Sequence, residues 1–363
     1  MFRPAERPLA ATDLPRRSLL RAAVGTLALL PLASCGPVAL GGPEEYTPPP
    51  PGIDDLYRTD LLALLDRALA GTGQIAADRG SSDEDSGEDP VFSTALAELG
   101  TALPIQRTAL LTGAQQEKEL EAGEDQAYGP AAPAPSDAPT DLPGLVSTLV
   151  ELRDLAAAAA RQVSGSLARP TVAIAAHTAW IVRRLSESTG TDRPSPPPTA
   201  EELVPTREVP ATDPPSIGAE SDYHSALERA QLEEWYAGYL HEVLAARVED
   251  ELRQQHLDLS ELHRQRAEEL GSVAEVDGAP LVPRQAAYPV PGGTLDAQTI
   301  AQLPALLARG VLIAHIALVG AAPFERRPLS IAAALDEAER LAPLVDSMEP
   351  LPSLEVEESP PAD

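Results

Sequence analysis

The sequence holds a single cysteine, a single lysine (Lys118) and no asparagine, and only 3% of its residues are aromatic. One cysteine excludes a disulfide within the chain, so stability has to come from buried apolar surface, which a chain of 363 residues can supply in one or two domains. Few aromatics beside abundant alanine and leucine favour closely packed helices over a β-sandwich. The lysine and asparagine bias reads as high-GC coding. Also missing are a Gly-x-Ser-x-Gly elbow, a Gly-x-x-x-x-Gly-Lys phosphate loop, a His-Glu-x-x-His pair and a Gly-x-Gly-x-x-Gly fingerprint. An enzyme of a familiar family is therefore not expected, although a site assembled across helices leaves little local trace.

What is present begins at the N-terminus. Arg3, Arg7, Arg16, Arg17 and Arg21 precede a run over residues 22–34 without a charged side chain. This is a basic region followed by an apolar one, and 13 residues fall short of the roughly 20 that a membrane-spanning helix needs. Arg16-Arg17-Ser18-Leu19-Leu20-Arg21 resembles the twin-arginine export motif, and Leu32-Ala33-Ser34-Cys35 resembles the lipobox of bacterial lipoproteins. Together they predict a signal peptide over residues 1–34 and acylation of Cys35, which anchors the mature chain to the outer leaflet of the cell membrane, outside the cytoplasm.

Charge bears on the partner. The chain has 27 Lys and Arg against 56 Asp and Glu, a net charge of −29. Removing the five arginines and two acids of residues 1–34 leaves a mature chain at −32. Such a chain repels nucleic acid and suits a protein or other partner of positive charge.

Proline and acid clusters divide the rest. Residues 35–52 read as a Pro-rich tether, residues 80–90 and 122–143 as loops, residues 188–218 as a Pro-rich linker and domain boundary, and residues 349–363 as a disordered acidic tail. Between them apolar residues recur at helical spacing. In residues 53–187 the stripes are Tyr57, Leu61, Leu64 and Ala68, ending at Gly71; Phe92, Leu96, Leu99 and Leu103, with a kink at Pro104; Leu145, Leu149, Leu152, Ala156, Ala159 and Val163 behind an Asp141 cap; and a fourth helix from Ser166 to Leu185. In residues 219–348 they are Tyr223, Leu227, Ala230, Ala237, Leu244 and Val248; Leu252, Leu259 and Leu270; Ile300, Leu303, Leu307, Val311, Ala314 and Leu318; and Leu335, Ala338, Leu341 and Val345, capped by Ser330. Amphipathic helices need partners, and the economical burial is an all-α chain of two four-helix bundles in tandem.

Three pieces of the second half carry a resemblance: Glu234-Trp-Tyr-Ala-Gly-Tyr-Leu-His-Glu-Val-Leu-Ala-Ala-Arg247, His263-Arg-Gln-Arg266, and Pro283-Arg-Gln-Ala-Ala-Tyr-Pro-Val-Pro291. Over about residues 220–346 the chain is similar to the uncharacterised ferritin-like domain family of actinobacterial Tat-exported lipoproteins. Ser164-Gly-Ser-Leu-Ala-Arg169 and Ala173-Ile-Ala-Ala-His177 suggest a diverged copy in the first half. The resemblance implies a ferritin-like fold and no assigned activity.

Di-iron proteins of that fold use Glu-x-x-His pairs, because residues i and i+3 share a helical face. None of the six histidines has a glutamate three positions before it, so no such cofactor is expected. Glu234 and His241, and His256 and His263, are each spaced by seven and so share helical faces. If those faces oppose, Glu234, His241, His256 and His263 could hold a divalent metal such as zinc. Alternatively the same buried polar groups pair with one another or with Tyr236 and Tyr239. Two functions follow: a non-catalytic lipoprotein that binds or scaffolds a partner at the cell envelope, or a metal-binding protein using that cluster. His177 and Trp180 are expected to pack, and residues 83–89 lack the residue placement of a calcium loop.

Overall fold

The computed structural model describes residues 51–80, 90–126, 135–189, 194–208 and 220–354. Arg16, Arg17 and Cys35 lie outside them, as do the signal, nearly all of the tether, the acidic loop at 81–89 and residues 355–363.

Among the described residues the chain is all helical, with nine α-helices and no strand. They are α1 (Ile53–Gly80), α2 (Pro90–Leu110), α3 (Gly113–Gln126), α4 (Leu142–Gln162), α5 (Gly165–Thr189), α6 (Glu220–Ala245), α7 (Asp250–Asp277), α8 (Ala297–Ala321) and α9 (Arg327–Leu341). Local chemistry sets several ends. The Asp141 carboxylate accepts from the Gly144 N–H at 2.8 Å and starts α4, and Asp296 does the same for α8 through Thr299. Gly278, at φ 71°, closes α7 in the left-handed conformation that a side chain would disfavour.

Two helix ends and one whole helix differ from expectation. Helix α1 continues past Gly71 to Gly80, and that glycine serves a close approach instead of a stop, since a Cβ there would clash with Pro139. Ser330 does not cap α9, which begins at Arg327 and buries Ser330 within it. Helix α3 occupies a stretch with almost no apolar stripe, which periodicity passes over.

In the first half α1 packs on α2 and α4, and α5 packs on α2 and α4. Their stripes meet as expected, with Tyr57, Leu61, Phe92, Leu99, Leu103, Leu145, Leu149 and Leu152 all buried; on α1, Leu65 rather than Leu64 is the fully buried member. In the second half α6 packs on α7 and α8, and α8 on α9. Leu252 fails its expected role: it is 57% exposed, and the inner face of α7 is instead Ser260, His263, Arg266, Ala267, Leu270 and Ala274.

The described residues form one compact unit. Helix α5 also packs on α8 and α9, so it is covered on nearly every side. That explains its want of carboxylates between Ser166 and Ser186. Helix α8 turns Leu303, Leu307 and Val311 to one cluster and Ala308, Leu312, Ile316 and Val319 to the core shared with the first half. Two apolar faces make α8 apolar enough to cross a membrane by composition, yet it is a core helix here. Gly165 and Gly320 mark a close approach of α5 to α8, since a Cβ on Gly165 would lie 2.5 Å from the Gly320 carbonyl oxygen.

Two segments expected to bury little are packed. Within 188–218, Leu203 is buried, Arg153 donates to the carbonyls of Ser195 and Pro196, and Gln162 accepts from the Thr206 N–H at 2.9 Å. In the tail, Leu351 is buried and the Pro350 carbonyl accepts from Gln106 at 2.9 Å, so residues 349–354 belong to the folded body. Arg184 of α5 donates to the carbonyls of Ala342 and Val345 and ties the end of α9 to the first half.

Candidate functional site

Midway along the second half a polar layer separates two apolar clusters. On one side lie Tyr223, Leu227, Leu270, Ala314 and Leu318; on the other lie Leu240, Leu244, Leu303, Leu307 and Val311. The layer draws on all four helices: Glu234 and His241 from α6, His256, His263 and Arg266 from α7, His315 from α8, and Glu337 and Arg340 from α9.

Glu234 is its centre. Its Oε2 lies 2.6 Å from His263 Nδ1 and its Oε1 lies 2.8 Å from His315 Nε2, and all three side chains are buried. An ionised carboxylate only accepts hydrogen bonds, so those two ring nitrogens are the donors. Burial alone pushes the Glu234 carboxyl up, but the hydrogen bonds and charge of His263 and His315 outweigh it and hold it down at about 2. Arg266 Nη1 stands 3.9 Å from Glu234 and 2.8 Å from Glu337, and Glu337 also pairs with Arg340. Negative and positive charges thus alternate as Glu234, Arg266, Glu337, Arg340, which offsets the desolvation that each would suffer alone.

The remaining two imidazoles stand at the edge of this layer. His241 Nδ1 and His256 Nδ1 face each other at 3.1 Å, and the His241 ring lies 5.4 Å from His263 with planes 2° apart. The approach of α6 to α7 permits this: Ser260 Oγ donates to the Gly238 carbonyl at 2.7 Å, and a Cβ on Gly238 would meet Ser260 O at 3.2 Å. Burial, reinforced by His263, His256 and Arg340, holds the His241 imidazole down at about 2, and burial also lowers His256. Both rings line a cleft of about 550 Å³ whose other walls include Leu252, Leu259, Pro304, Asp336 and Leu344.

All four residues singled out in the sequence therefore come together, as two linked pairs. The tyrosines are elsewhere: Tyr236 and Tyr239 pack against Tyr288 of the Ala286-Ala287-Tyr288 element, beside Trp235, whose Nε1 donates to the Val282 carbonyl at 3.2 Å. Sequence reasoning missed His315, Arg266 and Glu337. His315 sits in an apolar run without a polar neighbour in register, and the other two look like ordinary surface charges; only the three-residue step from His263 to Arg266 hinted at a shared face. His177 and Trp180 do pack, 5.6 Å apart and buried, and burial pushes the His177 imidazole down to about 4.

Among the described residues no group of three or more His, Cys, Asp or Glu side chains is arranged to hold a metal ion. Glu234 has both oxygens occupied, one by His263 and one by His315. The layer as built braces four helices.

Residues 226–356 match the family described as Domain of unknown function (DUF4439). The match spans most of α6 and all of α7, α8 and α9, so the DUF4439 segment is the half that carries the polar layer and the cleft. It contains most of the stretch on which the sequence resemblance rests. No curated protein and no solved structure matches the chain.

Proposed function

We propose that the chain is a lipoprotein, exported under Arg16 and Arg17 and held outside the cytoplasm by acylated Cys35, whose body is a non-catalytic binding or scaffold module. We read that body as two ferritin-like four-helix bundles in tandem, α1, α2, α4 and α5 beside α6 to α9. The packing of α1 on α2 and α4, of α5 on both, and of α6 on α7 and α8 supports the arrangement. A net charge of −29 over the chain suits a cationic partner and disfavours nucleic acid.

The observation that carries the non-catalytic reading is the closure of Glu234. A carboxylate-bridged di-metal centre needs a glutamate from each of two helices and Glu-x-x-His from the other two. The residues present do not fit it: α8 offers His315 and no carboxylate, both Glu234 oxygens accept from histidines, and the Arg266 guanidinium stands 3.9 Å away. A charged arginine beside the carboxylate repels any cation that would bridge it.

Mass spectrometry of the N-terminal peptide from membrane and soluble fractions tests the anchor. A lipid-modified peptide beginning at Cys35 in the membrane fraction is expected. Cys35→Ser should release or retain the chain away from that fraction, and replacing Arg16 and Arg17 with lysine should leave it in the cytoplasm. An unmodified, full-length chain in the cytosol of wild-type cells would overturn the reading.

A further inference from the structure

We propose that His241 and His256 form a two-imidazole clamp for one exchangeable divalent cation of the zinc class, opening onto the cleft of the second half. The proposal starts from the two Nδ1 atoms, which face each other at 3.1 Å. An ion about 2.0 to 2.1 Å from each nitrogen, the usual zinc–imidazole distance, would see them at an angle of about 98°. That angle fits between square and tetrahedral coordination. In the metal-free pair only one nitrogen can donate and the other must accept, whereas a cation engages the lone pairs of both neutral rings.

The surroundings hold the clamp in place and leave it reachable. His241 stacks on His263, which is fixed in turn by its 2.6 Å hydrogen bond to Glu234. This orients the ligand ring through a neighbour instead of a direct bond, much as outer partners orient metal-bound histidines. His256 is half-buried on the cleft side. The cleft wall carries Asp336, Glu337 and Glu339, with Asp336 and Glu337 paired to Arg266 and Glu337 also to Arg340, and Arg183 lines the same cleft. Its volume of about 550 Å³ leaves room for water or a small ligand to complete the coordination sphere.

The clamp differs from the four-residue set that spacing alone suggests, because Glu234 and His263 spend their facing atoms on each other. Two protein ligands are fewer than the three of catalytic or the four of structural zinc sites, so binding should be weak and reversible. The inference rests on the cleft alone and stands or falls separately from the anchor at Cys35.

Zinc chloride titrated calorimetrically into the chelator-treated full chain tests it. One zinc ion per chain is expected, with affinity reduced at least tenfold by His256→Ala and by His241→Ala. His224→Ala, on α6 but far along the helix, should leave affinity unchanged. His256 is half-exposed, so its variant keeps the test valid if His241→Ala proves unstable by circular dichroism. No saturable binding by the folded chain, or affinity unchanged in His256→Ala, would overturn the clamp.

Discussion

His315 donates from Nε2 to Oε1 of Glu234 across 2.8 Å, and neither side chain has any exposed surface. The bond joins α8 to α6 inside the polar layer that separates two apolar clusters. Removing one partner of a buried pair costs more than the pair contributes, because the other is left desolvated. Glu234→Leu should therefore destabilise the chain by about 3 kcal/mol, read as a lowered urea midpoint. An unchanged midpoint would mean that the layer is not closed as described.

Acid should weaken the fold, and the sign follows from three groups. His177 is held at about 4, below its ordinary 6.5, so between those values the unfolded chain takes up a proton that the folded chain refuses. Its contribution is full above pH 6.5, falls as pH drops toward 4, and amounts to about 3 kcal/mol. His241, held at about 2, acts in the same direction. Glu234, held at about 2 against 4.5, adds a contribution that is full above pH 4.5 and lost below it. Urea midpoints measured from pH 7 to 4 should fall, and His177→Leu should flatten part of that slope. A midpoint that rises on acidification would contradict the burial of these groups.

Glycines should divide by what lies opposite them. A Cβ at Gly165 would press on the Gly320 backbone at 2.5 Å, so Gly165→Ala should cost about 1 to 3 kcal/mol by overpacking α5 against α8. Gly73 and Gly100, within α1 and α2, have nothing within 4 Å of such an atom. Alanine at either should stabilise by about 0.5 to 1 kcal/mol through helix propensity. Thermal melting of the three variants separates the cases.

Arg327 is a buried connector. Its Nε donates to the Ala322 carbonyl at 2.9 Å, and its Nη1 donates to Ala160 at 3.0 Å and Val163 at 2.6 Å, joining the end of α8 to the end of α4. Burial lowers its pKa to about 10, so it remains charged at neutral pH. Arg327→Leu should destabilise by about 3 kcal/mol or more, since each orphaned buried carbonyl costs about 1 to 3 kcal/mol. Lysine, with one compact ammonium, should recover only part of the loss in Tm.

Much of the fold was legible because helical periodicity is a local property. Leu145, Leu149, Leu152, Ala156 and Ala159 all fall on the buried face of α4, Val163 is buried just past its end, and Asp141 caps its start. The same method misplaced Leu252, because α7 is polar on most of its surface and its inner face is built from His263, Arg266 and small residues. Of the site, the seven-residue spacings singled out the residues that meet. They could not show that Glu234 would spend its second oxygen on His315, which lies 81 positions away.

By itself the sequence determined helices, most of their buried stripes, an acidic composition, a motif-bearing N-terminus and four polar residues paired on two helical faces. Tertiary structure alone decided that α5 and α8 are covered on two sides, that residues 194–208 and 349–354 join the body, and that Glu234 is closed while His241 and His256 face the cleft. The reason is physical: periodicity reports that a face is apolar or polar, but which neighbour covers it depends on contacts between residues far apart in the chain.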